Sequence, residues 1–176
     1  MSSQPRARDG EPERARDRAE EALPFAAILK SVIDGIAYAG KAGVSVPEAV
    51  GFGVRAAVRR ALDVGGNLVV GTKAIVMGVI RGTGEREAAA LLTLSNAARA
   101  VIGQTADLNG DLGAAARGLV LGAVASAEHM GVTPSKAAVA AHGAAIDEAE
   151  RLGPDAAVEV RGALKSAFGG VHVDVP

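Results

Sequence analysis

The chain has 176 residues with 19 basic and 20 acidic side chains, a net charge of −1, and no cysteine. A balanced charge provides no long-range field to steer the protein onto a polyanion, so no nucleic-acid partner is expected. The absence of cysteine excludes a disulfide framework and thiolate chemistry, and the expected location is cytoplasmic.

Hydrophobic residues make up 49% of the chain, ample for a core, but the core material is small. There are 38 alanines and 23 glycines, against four aromatic residues: Phe25, Tyr38, Phe52 and Phe168. An alanine buries a single methyl, worth about 0.8 kcal/mol per carbon, so many helices have to pack closely before the fold is stable. Burial across a subunit interface is expected as well.

Residues 1–21 interleave five arginines with six acids and contain Pro5 and Pro12, with no large apolar residue after Met1. Such a segment buries too little to offset its ordering entropy and is expected to be a disordered charged tail, with helix able to start from about Glu13. It also lacks the apolar stretch of an export signal. Residues 22–170 are expected to form one all-helical repeat domain, and 171–176 a short C-terminal tail.

From Leu23 onward small residues end successive helical runs at Gly43, Gly65, Gly84, Gly110, Gly131 and Gly153, at intervals of roughly 22 residues. Four residues earlier stand Ala39, Ala61, Ala106, Ala127 and Ala149; eight earlier stand Gly35, Ala57, Ala123 and Ala145. The glycine supplies a left-handed cap, and small residues four apart form one narrow stripe along each helix. A longer echo relates residues 37–50 to 124–139 at an offset of about 88, placing Pro47 and Pro134 at helix starts with Ser45 and Thr133 as caps.

Helices are predicted near 24–42, 47–64, 67–82, 86–106, 112–130, 134–152 and 155–168. The stretch 68–106 is the most apolar and reads as a helical hairpin that the flanking helices must cover. In the second helix Val50, Val54, Ala57, Val58 and Ala61 share one side; in the sixth, Ala138, Ala141, Ala145, Ala149 and Leu152 do. Connections of two to five residues make consecutive helices antiparallel. The expected fold is all-α: an antiparallel array of about seven helices in 22-residue quasi-repeats with alanine and glycine stripes, either a closed bundle or a short solenoid.

Several motifs invite a chemical reading. Gly51-Phe52-Gly53-Val54-Arg55-Ala56 fits a loose dinucleotide fingerprint, but helix is predicted where that loop needs a strand, and Thr72 to Ala74 stand where it needs an acid. Gly78 to Glu85 looks like a phosphate loop but lacks the Lys-Ser/Thr pair such loops require and has Glu85 where positive charge is wanted. Asp107, Asn109 and Asp111 have the opening spacing of a calcium loop, yet Leu112 replaces the turning glycine and Gly118 the bidentate glutamate.

His129, His142 and His172 are the only imidazoles, and Glu128 abuts His129 directly, so their side chains diverge around the helix. Asp34 lies four residues after Lys30 and pairs with it on a solvated strip. The pairs Gly78/Gly82 and Gly118/Gly122 have membrane-packing spacing but sit in segments interrupted by Lys73, Arg81, Arg117 and Glu128.

No catalytic, cofactor-binding or metal residue is therefore assigned, and no cofactor is expected. The sequence points to a non-enzymatic structural or interaction protein, a homo-oligomer or the partner of another helical protein. The alternative is a peripheral amphipathic coat or binder of lipid or another hydrophobic surface.

Overall fold

The computed structural model describes the backbone of residues 11–63 and 67–168. It contains seven helices: α1 (Glu11–Lys41), α2 (Val46–Asp63), α3 (Leu68–Thr83), α4 (Glu87–Asp107), α5 (Leu112–Met130), α6 (Pro134–Leu152) and α7 (Pro154–Phe168). No strand occurs among the described residues. The seven predicted helices are all present, with boundaries shifted by a few residues except at the start of α1.

That helix begins at Glu11, inside the segment expected to be a tail. Glutamate, arginine and alanine are strong helix formers, and a proline in the first helical turn removes no needed donor, so Pro12 is compatible with the helix. Residues 1–10, Gly65, His172 and the expected tail 171–176 lie outside the described residues.

Local chemistry stops the helices where the pattern predicts. Gly84 and Gly131 close α3 and α5 in the left-handed region, at φ 65° and 69°. The turn after α4 differs, because the left-handed residue there is Asn109 (φ 54°) and not Gly110; asparagine tolerates that region better than other side chains. Thr133 caps α6 by accepting from Lys136 N–H at 3.2 Å, with Pro134 at the first helical position. Glu48 ties down the start of α2: its carboxylate accepts from Ser45 N–H at 3.3 Å and from Ser45 Oγ at 2.7 Å.

Packing follows a simple rule. Among the described residues, each helix touches the next helix in the chain and the next but one, and no others. Helices α1, α3, α5 and α7 thus form one row and α2, α4 and α6 a second row against it. Neither end of the array meets the other.

Helices within the odd row run parallel. Gly78 faces Val32 and Gly82 faces Ile36 between α3 and α1; Gly118 faces Thr72 and Gly122 faces Val76 between α5 and α3. Between α7 and α5 the Glu159 carboxylate accepts from Gly113 N–H, 46 residues away, and each of the four preceding pairs has the same separation.

The glycines in these contacts are needed for close approach. A Cβ on Gly78 would lie 2.8 Å from Val32 Cβ and 3.1 Å from the Leu29 carbonyl; on Gly122 it would lie 2.8 Å from Val76 Cβ and 2.9 Å from the Lys73 carbonyl. Both sets of distances are below ordinary carbon contact, so glycine sets how near the helix axes come.

The centre of the core is the pair α3 and α5, which pack most extensively on each other. The expected hairpin 68–106 is present as α3 and α4, each touched by four helices; α3 is buried nearly throughout and α4 keeps one face in water. The largest fully buried side chains include Ile75, Ile80, Leu94, Ile102, Leu119, Met130 and Leu164. The predicted stripe of α2 is buried throughout. In α6, Ala141, Ala145 and Ala149 are buried, but Ala138 is half-buried and Leu152 is exposed where the helix ends at the Gly153-Pro154 turn. At Gly35 the stripe faces open space.

Candidate functional site

The motif that resembles a dinucleotide fingerprint lies within α2, not in a strand-to-helix loop. A side chain on Gly51 would meet nothing, and one on Gly53 would only graze Ile36 Cγ1 at 4.0 Å. A continuous helix has its N–H groups committed to its own carbonyls and offers no cradle for a pyrophosphate.

The segment Gly78 to Glu85 is the end of α3 and its cap. Its first two glycines are filled by Val32 and Ile36 of α1, and Glu85 accepts a hydrogen bond from the buried Thr93 hydroxyl. Close by, Glu87 begins α4 at φ 51°, a left-handed conformation that is uncommon for a non-glycine residue. Arg86 reaches the α5–α6 turn, where a Cβ on Gly131 would lie 3.2 Å from its guanidinium. A cation at the carbonyl end of α5 complements the helix dipole.

The calcium-like triplet is occupied by turn chemistry. Asp111 caps α5, accepting from Ala114 N–H at 2.6 Å, and Asp107 accepts from the Gln104 amide at 3.3 Å. Leu112 is buried as the first residue of α5, and Gly118 is pressed against Thr72. The second carboxylate at the start of α5 comes from α7, where Glu159 accepts from Gly113 N–H at 3.0 Å. Two acids at one helix N-terminus complement its partial positive charge and tie α7 to α5.

His129 and His142 are exposed on α5 and α6. Among the described residues there is no group of three or more histidines, cysteines or acids placed to hold a metal ion. Asp34 and Lys30 form the expected exposed ion pair. Other pairs tie neighbouring helices: Arg99 to Asp147 at 3.4 Å between α4 and α6, and Arg161 to Glu150 between α7 and α6. Exposed pairs of this kind contribute at most about 1 kcal/mol. The glycine pairs with membrane-packing spacing are used inside the protein, against Val32, Ile36, Thr72 and Val76. Among the described residues no helix is long and apolar enough to cross a membrane.

What sequence reasoning missed is a set of buried hydroxyls. Thr72 is fully buried at the α3–α5 contact; its Oγ1 lies 2.9 Å from the Leu68 carbonyl and 3.2 Å from the Ala115 carbonyl of α5. Thr105 Oγ1 and Ser126 Oγ are buried with no hydrogen-bond partner. The signal for Thr72 is its place in the apolar run Leu68–Ile80, where a polar residue has to find a backbone acceptor. Thr72, Thr105 and Ser126 sit on separate helices, and the fourth buried hydroxyl, Thr93, donates to Glu85. Comparison with protein-family models, curated proteins and solved structures finds no match to this chain.

Proposed function

We propose that this chain is a non-enzymatic interaction protein that assembles, through helix packing, with copies of itself or with a helical partner. The observation that carries the reading is an uncovered edge. Within the odd row, α3 turns Gly78 and Gly82 toward α1, and α5 turns Gly118 and Gly122 toward α3, while Gly71 is pressed against Ala61 of α2. The side of α1 away from α3 has the same character, with Ala27, Ser31 and Gly35 at four-residue spacing, but it faces water. Tyr38 follows on that side and is 77% exposed.

The recurring separation of 46 residues between helices two units apart supports a unit of one helix plus turn, about 23 residues long, stacked in an open array. In the odd row α1 covers the glycine face of α3 and α3 that of α5, and among the described residues no helix covers the outer side of α1. A small, shallow face excludes little water alone and becomes a tight contact only when a second helix nests on it.

The test is light scattering on the purified chain at micromolar concentration. The expected result is a mass above the 17.5 kDa of one chain, falling to one chain in Gly35→Glu or Tyr38→Glu. A monomer that also recovers no helical partner counts against the reading. The lipid-coat alternative requires the array to open, because four helices cover each of α3 and α5. Recovery only in the soluble fraction after liposome flotation would eliminate it.

A further inference from the structure

The second row leaves a different feature in water. Besides Val46 and Leu152, exposed at the helix ends, α2, α4 and α6 each carry a large apolar side chain on the outside: Phe52 is 69% exposed, Leu92 63% and Val139 48%. Each has a buried residue two positions before and two after it: Val50 and Val54, Ala90 and Leu94, Ala137 and Ala141. Two residues turn an α-helix through a little more than half a circle, so each exposed side chain points directly away from the core.

All three lie in the first two turns of their helices. Helices α2, α4 and α6 are each antiparallel to a member of the parallel odd row, so they run parallel to one another. The three side chains therefore form a row across the array. Phe52 and Val139 are separated by the same 87 residues as Pro47 and Pro134, so they hold the same place after the two proline starts.

Adjacent packed helices have axes about 8–10 Å apart. A helix lying across them presents every seventh residue about 10.5 Å further along. One apolar side chain per heptad then meets one helix of the row. Charge decides what surrounds those anchors. Arg55 and Arg59 follow Phe52 at one and two turns on the same face, with Arg60 beside them, all exposed. None of the three is in an ion pair among the described side chains. The Glu48 carboxylate is already held by Ser45, and exposed Asp63 at the end of α2 leaves three arginines against these two acids along the helix.

We infer that this row is the docking surface for an acidic amphipathic helix of a partner protein. The helix lies across α2, α4 and α6 with apolar side chains on Phe52, Leu92 and Val139 and carboxylates on Arg55, Arg59 and Arg60. The inference rests on the reading of the chain as an interaction protein and names a surface distinct from the α1 edge. A flat anionic membrane fits less well, because single apolar side chains a helix-width apart give no continuous face to insert.

The test uses the full chain and a labelled helical peptide with leucine at every seventh position over three heptads. Glutamate fills its first heptad and alanine and glutamine the remainder; a control peptide carries lysine for glutamate. Fluorescence anisotropy is expected to show binding of the acidic peptide only, weakened by increasing salt. The triple variant F52A/L92A/V139A should lose roughly tenfold or more in affinity, and R55E/R59E should reverse the preference between the peptides. Unchanged melting curves establish that these exposed substitutions leave the fold intact.

Equal binding of both peptides, no binding of the acidic one, or affinity unchanged in the triple variant overturns the proposal. So does capture by phosphatidylserine vesicles that the same variants abolish while the peptide fails to bind. Light scattering keeps the two readings separate: the triple variant should assemble like the parent chain, whereas Tyr38→Glu should lose assembly and keep peptide binding.

Discussion

Replacing Gly118 by alanine tests whether glycine sets the distance between α3 and α5. The added methyl would overlap Thr72 Oγ1 and the Val69 carbonyl and would come within 3.1 Å of Thr72 Cβ. Two of these obstacles cannot swing aside easily: one is backbone, and Thr72 is fully buried with a β-branched side chain. Overpacking of this kind costs about 1–3 kcal/mol, and displacing the Thr72 hydroxyl from the Ala115 carbonyl, 3.2 Å away, removes about another 1 kcal/mol. The greater helix propensity of alanine returns up to about 1 kcal/mol, leaving a net loss of about 1–3 kcal/mol.

Gly143 is the matched control, because a methyl there meets nothing within 4 Å, so Gly143→Ala should stabilise by about 0.5–1 kcal/mol through propensity alone. Both variants are measured by thermal and urea unfolding followed by circular dichroism. For a chain of this length 1 kcal/mol moves Tm by about 2–4 °C. Gly118→Ala should therefore melt below the parent and Gly143→Ala above it. If the two variants melt together, the close-approach argument for α3 and α5 is wrong.

Ala57→Leu and Ala145→Leu place a larger side chain at buried positions and should each lower stability by about 1–3 kcal/mol; melting temperatures equal to the parent would contradict this. Thr105→Val and Ser126→Ala remove buried hydroxyls that have no partner, so each should be neutral or stabilising by up to about 1 kcal/mol, and a clear loss in the urea midpoint would indicate that the hydroxyl has a partner in solution. Glu159→Gln weakens the carboxylate link from α7 to the start of α5, with an expected cost below about 1 kcal/mol; hydrogen exchange at Gly113 N–H should accelerate, and an unchanged rate would show that the contact does not hold in solution.

The sequence alone determined the helices and their ends, apart from the start of α1, which lies at Glu11 within the segment read as a tail. A period near 3.6 in α2, proline at the start of α6, and glycine after α3 and α5 act within a few residues of chain, so no tertiary contact is needed to read them. Gly110 shows the margin of that reading, since its neighbour Asn109 takes the left-handed position. The helical setting of Gly51 to Ala56 and the start of a helix at Leu112 were legible for the same reason, since both follow from local sequence.

Only the tertiary structure decided which faces meet. Gly78 and Gly35 look alike in sequence, yet one is filled by Val32 and the other opens to water. Phe52, the most bulky residue of its helix, points out beside Arg55 while smaller valines fill the core. Burial depends on residues some 46 positions away, as with Gly113 and Glu159, and a local pattern contains no term for them. The same holds for the open ends of the array, because closure or stacking depends on the sum of small rotations between neighbouring helices and not on any one helix.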